Sequence, residues 1–199
     1  MAPPKKFTRE KIIETAFEIA KAEGIDAITI RKVAKKMGSS IAPIYVNFTD
    51  VEQLIQEVVA KTLEVSRHFL NEQQSGEPFL DIGIASIRFA KQYSVLFRDL
   101  VMKNNGHMVH NEDHVNILIQ QMKKDTLLQD FSYEELKQIL LKMQIFQTGL
   151  SVMVANDLLP DDFNEEKMIE MLDSTAKDVI TAARLRQSNQ MSEGEIYDE

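Results

Sequence analysis

The chain has 199 residues, 44% hydrophobic and 27% charged, the balance of a protein that folds around its own core in water. No apolar run is long enough to span a membrane and the start, "MAPPKKFTRE", lacks the apolar stretch of a signal peptide, so a cytoplasmic protein with no membrane partner is expected. Cysteine is absent, which excludes disulfides, thiolate metal sites and cysteine nucleophiles, and a net charge of −8 argues at first against nucleic acid.

The first helix is predicted after Thr8, a good N-cap, with Ile12, Ile13, Ala16, Phe17 and Ala20 at helical spacing and Gly24 as a left-handed stop. A shorter helix follows the N-cap candidate Thr29. Ile30, Val33, Ala34 and Met37 form its apolar stripe, Arg31, Lys32, Lys35 and Lys36 lie outside it, and Gly38 ends it. The next stretch, "MGSSIAPIYVNF", is too short for a core helix and too polar for a buried strand. Ser40 can cap a third helix there, with Ile41, Ala42 and Pro43 in a first turn whose amides need no intrahelical partner, so the proline costs little. Ile44 and Phe48 would anchor its inner face and leave Tyr45 and Asn47 outward. Small residues at its start permit close approach to another molecule, and a helix N-terminus favours phosphate. Two short helices, a glycine turn and a third helix suggest a helix-turn-helix.

Charge distribution now reverses the first impression. Residues 1–49 hold nine Lys/Arg and five Asp/Glu, a charge of +4, whereas the remainder holds 14 and 26, a charge of −12. A basic head on an acidic body is expected where one end meets an anion, although charge alone fits a cluster of solvated lysines equally well.

Beyond the head, a connecting helix is predicted over 50–71, with Asp50 and Gln53 as its capping pair. The segment "NEQQSGEP" reads as a linker. Helical patterns follow at Phe79–Tyr93, Val95–Lys103, Val109–Lys124, Tyr133–Asp157 and Phe163–Arg186, and the acidic end, 188–199, reads as a disordered tail. The fold class is therefore all-α: a helix-turn-helix domain over 1–50, the connecting helix, and a helical domain over 72–187.

The head resembles the DNA-binding domain of TetR-type (tetracycline-repressor-like) transcriptional regulators. The likeness covers "TREKIIETAFEIAKAEG", "TIRKVAKKMG", and "SSIAPIYVNF" leading into "TDVEQL", with the Gly-x-Ser turn at Gly38 to Ser40 and aromatics at Tyr45 and Phe48. Val51 stands where the family often has Lys, Val46 where it is often aromatic, and Asn47 where it frequently has His. The resemblance implies a homodimer on double-stranded DNA with a palindromic operator. Specificity is then expected from Ser39, Ser40, Ile41, Ala42, Pro43, Tyr45 and Asn47. Phosphate contacts are expected from Thr29, Arg31, Lys32 and Tyr45, with binding that falls steeply with salt.

The family also implies dimerisation through the last two long helices. The stripes expected there are Leu136, Leu140, Leu150 and Val154, with Met143 among them and Gln147 interrupting, and Leu172, Thr175, Ala176, Val179 and Ala183; the alternative is that both stripes face only the intramolecular core. A pocket for a small, apolar effector is expected among Phe89, Tyr93, Phe97, Met102, Met122, Met143, Phe146 and Met153, because methionine adapts to irregular guests; as single residues they also suit plain core. His107, His110 and His114 would share a helical face and could take a transition metal, but Gly106 and the polar neighbours favour a solvated surface, so no metal or cofactor is expected.

Function thus reads as a ligand-responsive transcriptional repressor. An enzyme is disfavoured, since no phosphate loop, nucleophile elbow or metal-hydrolase pair is present. The third class is a helical small-molecule or metal-sensing protein with weak or lost DNA binding.

Overall fold

The computed structural model describes residues 7–103, 112–155, 158–160 and 162–195, and every regular element among them is helical. They divide into two compact units. Residues up to His68 cluster with 92–103, and Phe69–Lys91 with residues from 112 onward.

The first unit begins with α1 (Arg9–Glu23), where the Thr8 hydroxyl accepts the Lys11 N–H at 3.2 Å. Ile12, Ala16, Phe17, Ile19 and Ala20 face inward at helical spacing. Gly24 ends the helix as expected and has positive φ, at 98°, but its ψ of 165° is extended and not left-handed helical; it turns the chain into a 3₁₀ turn, Ile25–Ala27. α2 (Ile30–Met37) is capped by Thr29 and buries Ile30, Val33 and Ala34. It ends at Gly38 in the left-handed region, where the Ser39 N–H reaches back to Ala34 O at 3.0 Å and closes the last turn.

α3 (Ala42–Asn47) is one residue shorter at its start than Ser40 would have made it as a cap. Ile41 precedes it in helical conformation with no side-chain cap, and the Ser39 hydroxyl donates instead to Ser40 O. Pro43 supplies the reason: it lacks one of the early amides that a capping oxygen accepts. α4 (Val51–Asn71) opens with the expected reciprocal pair, Asp50 accepting the Gln53 N–H and Gln53 accepting the Thr49 N–H, both at 2.8 Å. After α5 (Pro78–Gln92) the chain rejoins this unit as α6 (Ser94–Phe97), continued by one π-turn over Arg98–Met102. Leu96, Phe97 and Leu100 are buried there, and the Tyr93 ring lies 6.1 Å from that of Phe17 on α1. Sequence order placed residues 92–103 with the later helices; packing joins them to α1.

The second unit combines α5 with α7 (Glu112–Met122), α8 (Tyr133–Ala155) and α9 (Glu165–Glu195). Its core includes Phe79, Ile82, Ile119, Met122, Leu128, Leu136, Met143 and Leu172. Asp125, buried between α7 and α8, accepts the Leu127 N–H at 2.9 Å and so satisfies a turn that carries Leu128 inward. α9 runs through to Glu195, well into the segment read as a disordered tail, because no proline interrupts it and its Arg, Gln, Glu and Met residues are good helix formers.

Candidate nucleic-acid interface

Ile44 is buried at the centre of α3 and Phe48 just beyond it, so the opposite side of this short helix is open. That side carries Ser40, Ile41 (45% exposed), Ala42, Tyr45 (55%) and Val46 (85%). On α2, Arg31, Lys35 and Lys36 are exposed, as is Thr29, whose hydroxyl oxygen is taken up by capping Lys32 N. Lys32 itself pairs with Glu23, which neutralises part of its charge locally. Ser39 and Pro43 are half-buried at the turn.

Asn47 departs from its expected outward position. Its Nδ2 donates to Pro43 O at 2.8 Å, so the amide folds onto its own helix and is half-buried. A six-residue helix leaves its carbonyls short of following amides, and a side-chain donor one turn on satisfies one of them. Val46, not Asn47, is the most exposed large side chain of α3. Spacing carries the signal, since Val46 lies opposite Ile44 and one turn from Ala42, but an apolar side chain there has no hydrogen-bonding group to mark it as outward.

A second residue that sequence reading missed is Arg9, at the start of α1. Its Nη1 donates to Asn47 O and its Nη2 to Glu57 Oε1 on α4, both at 2.6 Å, while its guanidinium lies 4.3 Å from the centroid of the Phe48 ring. One side chain thereby ties α3 to α1 and α4. Contacts between positions this far apart leave no local pattern in a sequence.

The turn after α1 is held from the π-turn. Asp99, 5% exposed, accepts the Ile25 N–H through Oδ2 at 3.0 Å, and its Oδ1 meets Lys103 Nζ at 2.8 Å. Burial pushes the Asp99 carboxyl up, but the Lys103 ammonium, the Ile25 amide and Arg98 together outweigh it and hold the group below its ordinary range. Lys103 also pairs with Asp26 at 3.6 Å and is shifted upward by these carboxylates, chiefly Asp99.

The expected effector-site residues are divided between the two units. Phe89, Met122 and Met143 are buried in the second unit with Phe146 packed nearby, and Met153 is exposed. Tyr93, Phe97 and Met102 belong to the first unit, where Phe97 is buried and Met102 exposed. Two polar residues of α8 are also buried: Gln147 and Ser151, one turn apart, with Ser151 Oγ lacking a hydrogen-bond partner among the described residues. Gly83 of α5 makes room for the first, since a Cβ there would sit 3.0 Å from Gln147 Nε2. In the sequence, Gln147 was visible only as a break in an apolar stripe.

The stripes expected at a dimer seam line the chain's own interior. Leu136, Leu140, Leu150, Leu172, Ala176 and Ala183 are buried in the second unit's own core, and Val154, Thr175 and Val179 are half-buried beside it. Large apolar side chains on the open faces of these helices are instead Leu141 (55% exposed) and Ile145 (66%) on α8, and Met171 and Leu185 on α9. Of the histidines, His107 and His110 lie outside the described residues, and His114 is half-buried on α7. Among the described residues no three potential ligands cluster as a metal site would require.

Residues 12–58, from α1 into α4, match the family model described as bacterial regulatory proteins, tetR family. A candidate fatty acid metabolism regulator of Clostridium perfringens has a similar solved structure, at 17% identity and a TM-score of 0.55, with 85% of this chain and 96% of that one covered. A candidate transcriptional regulator of Pseudomonas aeruginosa PAO1 superposes at 13% identity and a TM-score of 0.63, covering 92% of this chain and 98% of that one. These likenesses establish the fold. No curated protein matches the sequence.

Proposed function

We propose that the chain is a TetR-type transcriptional regulator, a ligand-responsive repressor that binds a palindromic operator as a homodimer, with the segment that matches the family model, residues 12–58, as its reading head. The observation that carries this reading is the open face of α3, supported by Ile44, Phe48 and Arg9 from within and flanked by the basic side chains of α2. A helix so supported enters the major groove while neighbouring cations meet phosphate. Two such heads on a symmetric dimer require a symmetric site.

Leu141, Ile145, Met171 and Leu185 are the proposed dimer contacts, because large apolar side chains left open on two long helices are the type that a partner covers. The effector is proposed to be mainly apolar with one polar group. Met122, Met143 and Phe146 suit its body, and the unpartnered Ser151 hydroxyl and Gln147 suit its polar end. Its binding releases the operator to the extent that it favours the released state over the bound one. Among the described residues no helix is long and apolar enough to cross a membrane, and a cytoplasmic site of action is part of the same proposal because that is where a bacterial regulator would meet DNA.

Selection from a random duplex DNA pool at two salt concentrations tests this reading. Enrichment of a palindrome, bound less tightly as salt rises, is the expected result. A folded dimer that enriches no sequence, with no small molecule released on denaturing it, would overturn it in favour of a helical sensor without DNA recognition.

A further inference from the structure

We infer that α3 reads its half-site chiefly through the 5-methyl groups of thymine, an inference that rests on the DNA-binding reading above. Base edges in the major groove are read by paired hydrogen bonds or by apolar contact. α3 lacks the side chains for the first. No Lys or Arg lies between Lys36 and Lys61, so no cation on this helix forks onto guanine O6 and N7. The matching reader of adenine is a side-chain amide. The one amide on α3 belongs to Asn47, and its Nδ2 is bonded to Pro43 O.

What α3 offers instead is methyl groups. Ala42 and Val46 are one turn apart on the side opposite buried Ile44, Ile41 stands beside them at the helix start, and Val46 is more open than Ile41. Tyr45 borders this ridge with a ring and hydroxyl suited to sugar and phosphate. Arg31, Lys35 and Lys36 on α2 provide charge complementary to DNA, which argues for a duplex rather than an apolar protein surface as the occupant. On the floor of the major groove the apolar group available to such a ridge is the thymine 5-methyl. The half-site is therefore one in which T·A pairs fall beneath Ala42 and Val46.

Replacement of thymine by deoxyuridine removes that methyl and nothing else. The operator recovered by selection is synthesised with each thymine of one half-site changed in turn, and its affinity is measured for the full-length protein and for Val46→Ala. Val46 is exposed, so the variant keeps the fold. Loss of one buried methyl corresponds to about a fourfold weakening. The expected result is a loss of that size at one or more thymines, and at the one covered by Val46 the variant no longer distinguishes the two bases. Equal affinity for every deoxyuridine operator overturns methyl readout while leaving operator binding intact. Failure to bind any duplex overturns the DNA reading and this inference together. If Val46→Ala instead changes the oligomeric state and leaves DNA affinity unchanged, the ridge belongs to a second copy of the chain and the inference is wrong.

Discussion

A Cβ placed on Gly24 would lie 2.2 Å from Asp99 Oδ2, closer than any real contact, and Gly24 holds φ 98° and ψ 165°, a conformation nearly restricted to glycine. Gly24→Ala therefore strains the backbone and drives the buried carboxylate off the Ile25 amide. The two effects together are expected to cost about 2–5 kcal/mol, read as a lower urea midpoint with an unchanged m-value. Gly38 provides the contrast. It too has positive φ, at 65°, but nothing lies within 4 Å of its Cβ, so Gly38→Ala should cost only about 1–2 kcal/mol. Asp99 adds a pH dependence of definite sign. Its folded carboxyl titrates below the ordinary 3.8, so the stability it contributes is full above that value and is lost as pH falls through the depressed one. Asp99→Asn should flatten the acid limb of the stability–pH curve there and leave Lys103 and Arg98 facing a neutral group; an unaltered limb would mean that other carboxylates control it.

Among the elements, α8 and α9 show how far an apolar stripe can be read. Periodicity identified Leu136, Leu140, Leu172 and Ala176 as one face of each helix, and that face is apolar because it fills the core. Periodicity alone does not tell a face that packs within the chain from one that awaits a partner. The open side chains that fall outside the stripe, Leu141 and Ile145, become informative only once burial is known. In the dimer proposed above, Ile145→Glu is expected to yield monomer in sedimentation and to weaken operator binding, with helix content unchanged because the side chain is two-thirds exposed within its own chain. Leu140→Glu should instead destabilise the fold itself. In the head, caps and glycine stops were legible because they are local: Thr8, Thr29, Asp50 with Gln53, Gly24 and Gly38 all act within one turn of their own position. The π-turn at Arg98–Met102 was not, since its role depends on a carboxylate reaching a turn far back in the chain.

For the molecule as a whole, the charge split of +4 and −12 was legible at once and sets the expected salt dependence. The all-helical fold followed from helical spacing throughout, whereas the clustering of residues 92–103 with α1 did not, because chain order is silent about which neighbours pack. Salt also reaches the site by a second route. Arg9 holds α3 through Asn47 O and Glu57, with about a third of each charged side chain exposed, so ions that screen phosphates also screen this clamp. The slope of affinity against salt then counts more than phosphates: it includes the loosening of the reader itself. Arg9→Met, which keeps a stem against Phe48 without the charge, should bind more weakly at low salt and lose less as salt is added. On the reading proposed above, ionic strength acts on α3 as much as on the DNA, and an operator affinity would describe both.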